Sequence, residues 1–204
     1  MAHIPDGILS LPVLIGGGLV AASGVALGLR RLDDRIIPRA AILAAAFFAG
    51  SLIAVPVGPS SVHLLLAGLM GIMLGPATFV AILVALLLQV LLFGFGGLTT
   101  LGINTVNIAL PGVVFGMAFG PAIRGATRPA VRAAFAAAVG GLSVLGTGGL
   151  VALSLWLSST EYTPVASVVI ATYLPLAIGE AFVTAAIVAF LARVRPESLA
   201  VAAR

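Results

Sequence analysis

The chain has 204 residues, of which 61% are hydrophobic and only 8% are charged. A soluble domain carries about 25% charged residues, so this composition predicts an integral membrane protein. All ten basic residues are arginines and six residues are acidic. Positive residues beside membrane spans set orientation, so the net charge of +4 does not require a nucleic-acid partner. The absence of cysteine excludes disulfides and thiolate metal sites.

The apolar segments predict an all-α integral membrane protein with about seven transmembrane helices. We expect one membrane-embedded domain over 1–204, with an N-terminal segment (1–9), transmembrane helices (10–195) and a short cytoplasmic tail (196–204). The third span is too short to cross a bilayer comfortably unless it starts within the protein or is tilted. The predicted spans are 11–29, 40–57, 62–74, 77–95, 103–123, 133–157 and 165–192.

The arginines predict the orientation of these spans. If seven spans alternate, every arginine falls on one side, in the clusters 30–39, 124–132 and 193–204. The positive-inside rule makes that side cytoplasmic, with the N-terminus outside and the C-terminus in the cytoplasm. The same alternation puts the N-terminal segment, the 60–63 turn and the 99–107 loop on the external side.

The first nine residues, which we call the hook, form a candidate metal-binding segment. His3 lies close enough to the terminal amine for amine, backbone nitrogen and imidazole to close small rings around one ion. Pro5 biases Ile4 towards an extended conformation, and Asp6-Gly7 is typical of a turn. Taken alone, the commoner alternative is a frayed chain end with an idle histidine.

The second histidine, His63, is predicted on the same external side as His3. Taken alone, it is more often bonded to a neighbouring carbonyl. Together, the amine, one backbone amide and two imidazoles form a nitrogen-rich set that suits Ni(II) or Cu(II), with Co(II) also accepted. If Met1 is removed, the Ala2 amine, the His3 amide and its imidazole supply three donors and His63 the fourth. If Met1 is retained, Met-Ala-His supplies four donors by itself.

Four further polar residues are candidates for supporting this site. Asp6 is the acid nearest either histidine, and Asn104 and Asn107 share a face if their segment is helical. The two amides either bond neighbouring helices or line the site. Glu180 is the one acid deep in a predicted span, where a carboxylate is a functional hypothesis by default. Its alternative is protonation, or pairing with a backbone or hydroxyl group such as that of Tyr173 or Thr184.

Four ordered motifs resemble the CbiM/NikM family, and the nickel-type NikM more closely: His-Ile-Pro-Asp-Gly at 3–7, Ser-Ser-Val-His-Leu-Leu at 60–65, Gly-Gly-Leu-Thr-Thr-Leu-Gly-Ile-Asn-Thr-Val-Asn at 96–107 and Leu-Pro-Leu-Ala-Ile-Gly-Glu at 174–180. These proteins are the substrate-capture components of cobalt and nickel energy-coupling-factor transporters. The resemblance implies a seven-helix protein that binds a divalent ion through the N-terminal amine and two histidines.

The family pattern begins Met-His, so Ala2 is an insertion here. Removal of Met1 restores the family's spacing between amine and histidine. The resemblance then implies metal ligands at Ala2, His3 and His63, with Asn104, Asn107 and Glu180 at recurrent polar positions in supporting roles.

We therefore predict a Ni²⁺ or Co²⁺ capture subunit of an ATP-driven importer in a prokaryotic cell membrane. The resemblance implies a membrane-embedded coupling (T) subunit, cytoplasmic ATPase subunits and a small accessory membrane subunit as partners. The chain has no lysine and therefore no P-loop, so we expect no enzyme activity of its own and no organic cofactor. The alternative is a stand-alone secondary cation transporter or channel that uses Glu180 as an intramembrane relay. An intramembrane metalloenzyme has little support, since no His-Glu-x-x-His sequence is present.

Overall fold

The computed structural model describes residues 3–57 and 60–199. The all-α prediction is confirmed, with one addition: two short strands form an antiparallel hairpin in which Val55 pairs with Val62. The α-helices of the described residues are α1 (Leu11–Leu29), α2 (Ile36–Ser51), α3 (Ala67–Leu74), α4 (Thr78–Phe93), α5 (Leu101–Gly125), α6 (Pro129–Ser158) and α7 (Thr163–Val194); the strands are β1 (Val55–Val57) and β2 (Ser60–Val62).

Within the described residues, five helical segments are long and apolar enough to cross a membrane: Leu11–Leu29, Ala67–Phe93, Leu101–Gly125, Pro129–Ser158 and Thr160–Val194. Large apolar side chains on their outer faces are exposed, such as Phe182 at 76% and Ile178 at 70%. Such faces suit lipid contact, and the chain is a multi-pass membrane protein. The count of seven spans and the orientation of the termini stay predictions.

Two predicted spans were wrong in their bounds. The second was predicted over 40–57, but α2 spans Ile36–Ser51 and the chain is extended as β1 by Val55. The third was predicted over 62–74, but α3 begins only at Ala67. Pro56 disfavours helix at Val55, and a short apolar run does not distinguish a strand from a buried helix. Hydrophobicity alone therefore extended both spans into the hairpin.

Helix α3 is a buried half-helix. All eight of its residues are buried, and its length of about 12 Å is well under the ~30 Å of a bilayer core. The segment Ala67–Phe93 is broken at Gly75, whose φ of 54° and ψ of −131° are accessible mainly to glycine. The chain reverses there, since α4 runs back to Phe93, whose ring contacts Phe48 near the end of α2.

Glycines let α3 pack closely against its neighbours. A Cβ on Gly71 would overlap the carbonyl of Gly112 on α5, and one on Gly68 would lie 2.8 Å from the carbonyl of Val139 on α6. Small residues at such positions allow the close backbone approach that stabilises membrane helix pairs. The half-helix is thus held in the centre of the bundle by direct backbone contact.

The bundle has two chemically different ends. At one, which we call the arginine end, Arg35, Arg39 and Arg195 line a cavity together with Met73 of α3, and Arg124 and Arg132 line another. At the other, the histidine end, the hook meets the start of α3 and the loop before α5. The polar features predicted on one side of the membrane do lie together.

Candidate metal site

The hook is bound to the start of α5 through the backbone of Ile4. The Ile4 N–H donates to Oδ1 of Asn104 at 3.0 Å, and Nδ2 of Asn104 donates to the Ile4 carbonyl, also at 3.0 Å. The Thr100 hydroxyl donates to the same carbonyl at 2.7 Å. Asn104 and Thr100 are 2% and 0% exposed. These bonds fix the two peptide units on either side of Ile4, so the described part of the hook is an ordered element.

Asp6 fixes the hook a second time, at the loop that leads into α5. Its carboxylate accepts hydrogen bonds from the N–H groups of Leu98 (3.1 Å), Thr99 (3.0 Å) and Thr100 (3.3 Å), and from the Thr99 hydroxyl. The Thr99 hydroxyl, with these N–H groups, holds the pKa of Asp6 below its usual range. Among the described residues, the hydrogen bonds of the Asp6 carboxylate all go to this loop. Asp6 therefore anchors the hook to the loop before α5.

His3 and His63 are 60 positions apart in sequence and meet in the structure. Their Nε2 atoms lie 3.2 Å apart, and their rings stack with centroids 5.2 Å apart and planes 20° apart. The side chains are 7% and 5% exposed. Ala2 and Met1, the other predicted donors, lie outside the described residues.

The hydrogen bonds assign the tautomer of His63. Its Nδ1 lies 3.0 Å from the carbonyl of Leu64, which can only accept, so Nδ1 carries the proton and Nε2 holds a free lone pair. The Nε2 of His3 then donates to it, and Nδ1 of His3 is unprotonated, buried and without a partner among residues 3–57 and 60–199. His63 therefore does make the hydrogen bond to a neighbouring carbonyl that is the commoner role of a single histidine. The same bond orients the ring so that Nε2 points towards His3.

Burial keeps both imidazoles neutral. The pKa of His3 is lowered to about 3. The larger cause is loss of hydration on burial, and the second is charge repulsion from the neighbouring His63. Burial likewise lowers the pKa of His63, against the opposing effect of the Leu64 carbonyl. A neutral imidazole is the form that binds metal, so both rings are ready to act as ligands.

No group of three or more histidine, aspartate or glutamate side chains that could hold a metal ion occurs in the described residues. Two imidazoles and the backbone nitrogen of His3 are the nitrogen donors at this point of the structure.

The other predicted supporting residues lie on two different elements. Asn104 and Asn107 are both buried on α5, as their spacing predicts, but Asn107 accepts from the Ser154 hydroxyl of α6 at 3.3 Å instead of contacting the hook. Glu180 is fully buried on α7, where it accepts from the N–H groups of Leu65 and Leu66. Tyr173 and Thr184, the hydroxyl partners considered for Glu180, have no hydrogen-bond partner among the described residues.

Two residues of this region were missed by the sequence reasoning. Thr100 and Thr99 bind the hook from the loop before α5. The available signal was a pair of threonines directly before a helix start, where hydroxyls and free N–H groups are concentrated.

A cavity of about 320 Å³ borders His3, and a second, of about 330 Å³, borders His63.

Comparison with known proteins places the whole described bundle in one family. Residues 3–198 match the family CbiM, described as the cobalt uptake substrate-specific transmembrane region. A Haemophilus influenzae protein named "Putative metal transport protein" is 36% identical, covering 96% of this chain and 95% of its own. The cobalt transport protein CbiM of Sorangium cellulosum is 33% identical over 97% of this chain and 94% of its own.

A nickel relative and a solved structure agree with this placement. The fused nickel transport protein NikMN of Rhodobacter capsulatus is 36% identical over 61% of this chain and 38% of its own. The crystal structure of a truncated transition metal transporter has the same fold, with a TM-score of 0.74, 24% identity, and coverage of 96% of this chain and 98% of the other. The chain therefore belongs to the CbiM/NikM family of cobalt and nickel transport proteins.

Proposed function

We propose that this protein is the Ni²⁺- or Co²⁺-capture subunit of an ATP-driven, energy-coupling-factor importer. One observation carries the proposal: His3 and His63, distant in sequence, lie with their Nε2 atoms 3.2 Å apart, buried where the hook meets the bundle. Family membership supports nickel or cobalt as the transported ion.

The ligands in this proposal are nitrogen atoms. The amine of Ala2, exposed by removal of Met1, binds with the amide nitrogen of His3, its imidazole, and Nε2 of His63. A chelate that includes the His3 amide closes a six-membered ring through Nδ1, which has no hydrogen-bond partner among the described residues. Loading therefore requires the His3 ring to turn, so that Nδ1 replaces Nε2 in facing Nε2 of His63. Such nitrogen-rich, roughly square-planar sets suit Ni(II) and are accepted by Co(II).

The hook serves both as ligand and as cover. Asn104 of α5 holds the hook at Ile4, and Asp6 of the hook binds the loop before α5. The ion therefore lies beneath an ordered segment. Release requires these bonds to break. We propose that a membrane-embedded coupling subunit, driven by separate ATPase subunits, supplies that movement.

Calorimetric titration of the purified protein with Ni²⁺ and Co²⁺, alongside intact-mass analysis of its N-terminus, tests the site. His3→Ala and His63→Ala should each lower nickel affinity by at least about 100-fold, because each removes a donor from one coordination sphere. Glu161→Ala is the matched control: it removes an exposed carboxylate near the outer end of α7 and should leave affinity unchanged.

Two outcomes would contradict the site as assigned. Normal nickel and cobalt affinity in both histidine variants, with unchanged thermal unfolding, would remove the two imidazoles from the ligand set. A mass that retains Met1, together with normal affinity in His63→Ala, would mean that Met-Ala-His binds the ion by itself.

A further inference from the structure

Glu180 and His63 are joined through a single peptide unit. The Leu64–Leu65 peptide accepts a hydrogen bond at its carbonyl oxygen from Nδ1 of His63, at 3.0 Å. The N–H of the same peptide donates to Oε1 of Glu180. The imidazole and the carboxylate therefore hold opposite ends of one rigid, planar dipole.

Glu180 also satisfies the start of the half-helix α3. The first N–H groups of a helix have no partner within it, and Leu66, at the N-cap position, has no side chain that could accept. Oε1 of Glu180 accepts from Leu65 N and, at 2.8 Å, from Leu66 N. Leu66 has a φ of 52°, the sole positive φ at a non-glycine in the described residues. A leucine in this region is strained, so the contacts around it must hold it there.

The surroundings of Glu180 leave little room for movement. A Cβ on Gly140 of α6 would lie 2.6 Å from the Glu180 carbonyl, and one on Gly68 of α3 would lie 3.0 Å from the Cα of Gly140. Helix α6 thus approaches both α3 and α7 backbone to backbone, on the α7 side at Glu180 itself. Glu180 and Leu65 are both 0% exposed, so no water competes for their bond.

We propose that Glu180 is the positioning residue of His63: through the Leu64–Leu65 peptide, it fixes the imidazole as the Nδ1–H tautomer with Nε2 free to bind the ion. A carboxylate bonded to the N–H polarises the peptide and makes its carbonyl a stronger acceptor for Nδ1–H. In a histidine that binds metal, the hydrogen-bond partner of the non-ligating ring nitrogen sets the tautomer and raises the basicity of the ligating nitrogen. In this protein Glu180 exerts that effect on His63 through one intervening peptide. This inference rests on the proposed function for its consequence in metal affinity, but its effect on the tautomer is independent of metal.

The test uses ¹⁵N-histidine NMR of the full-length, metal-free protein, in which the two histidines give few signals. The native protein should show His63 with Nδ1 protonated. Glu180→Leu removes both carboxylate oxygens and should convert His63 to the Nε2–H tautomer or to a mixture of the two tautomers. The same variant should lower nickel affinity by about 10–100-fold. Glu180→Gln retains an acceptor oxygen, so it should keep the Nδ1–H tautomer and affinity within about tenfold of native.

Thr184→Val is the matched control, since Thr184 is buried one turn further along the same face of α7 and its hydroxyl has no partner among the described residues. It should change neither the tautomer nor the affinity. A native tautomer in Glu180→Leu would overturn the inference. A shifted tautomer in Glu180→Gln would overturn it as well, and that spectrum remains available if Glu180→Leu does not fold.

The two proposals fail in different ways. The metal-free spectra test Glu180 whether or not the site binds nickel, whereas the His63→Ala titration tests the site whatever the role of Glu180. Loss of transport in Glu180→Gln, with tautomer and affinity retained, would overturn a purely positioning role and favour a relay that needs an ionisable group.

Discussion

At the scale of single residues, most of the buried polar groups at the site have a specific hydrogen-bond partner. His63 is held by the Leu64 carbonyl, and the hook by Asn104 and Asp6. Unpartnered polar groups in such surroundings are costly, and Nδ1 of His3 has no partner within the part of the chain that the structure describes. An ion bound at this nitrogen would remove that cost.

The docking of the hook should weaken as pH falls. The pKa of His3 is about 3 when docked, against 6.5 for an ordinary histidine. Below about pH 6.5 the undocked form therefore takes up a proton that the docked form excludes. Stability due to docking is lost as pH falls from 6.5 towards 3, by about tenfold in the docking equilibrium per pH unit.

Thiol labelling of introduced cysteines measures how far the hook undocks at each pH, because the chain has no cysteine of its own. Ile4→Cys places a thiol at a position that is 4% exposed, and Leu98→Cys, at a position that is 59% exposed, normalises for thiol reactivity. The normalised labelling of Ile4→Cys should rise between pH 7.5 and 5, and His3→Ala in the same background should remove most of that rise. A flat native profile would show that proton uptake by His3 is not coupled to docking.

At the scale of elements, the half-helix α3 links the two ends of the bundle. Its start follows His63, and Met73 near its end borders the cavity that contains Arg39 and Arg195. Backbone contacts with α5 and α6 hold it, with glycines at both sides of the contact. A shift of α3 along its axis would therefore move the His63 loop, so the packing of this element bears directly on the site.

Alanine at these glycines should destabilise the bundle. At Gly71 or Gly112 a Cβ would overlap backbone of the facing helix, and overpacking of this kind costs about 1–3 kcal/mol. Gly149 on α6 has nothing within 4 Å of a new Cβ, so Gly149→Ala should be neutral or slightly stabilising. Thermal unfolding in detergent checks this; equal melting temperatures for Gly112→Ala and Gly149→Ala would contradict the close contact.

At the scale of the whole molecule, the protein is polarised along its length. Arginines gather at one end, and the histidines with their supporting residues at the other. An importer needs its capture site on the external side, and the positive-inside rule predicts that the arginine end is cytoplasmic. The proposed function and the charge distribution thus require the same orientation.

Site-directed cysteines test that orientation in intact cells. Leu98→Cys, at the histidine end, should react with a membrane-impermeant maleimide from outside. Thr127→Cys, exposed between α5 and α6 at the arginine end, should react only after the membrane is permeabilised. The reverse pattern would place the histidines in the cytoplasm and contradict capture from outside.

The sequence by itself determined the class and the approximate course of most helices, and it predicted His3 and His63 on the same side of the membrane. Composition alone requires a membrane protein, because so few charged residues cannot cover a soluble surface. The first predicted span, 11–29, coincides with α1. Arginine spacing placed both histidines at one end, and the motifs resemble the family to which the chain belongs.

Only the tertiary structure decided the elements around the site. The predicted 40–57 and 62–74 spans are α2, a hairpin and a half-helix, because hydropathy reports apolar content and not backbone direction. Likewise, Asn107 bonds Ser154 whereas Asn104 bonds the hook, although both share one helix face. Glu180 acts on the backbone before α3, 115 residues away at Leu65. Hydrogen bonds to backbone carry no side-chain signature, so which peptide a buried carboxylate binds is settled only when the helices pack.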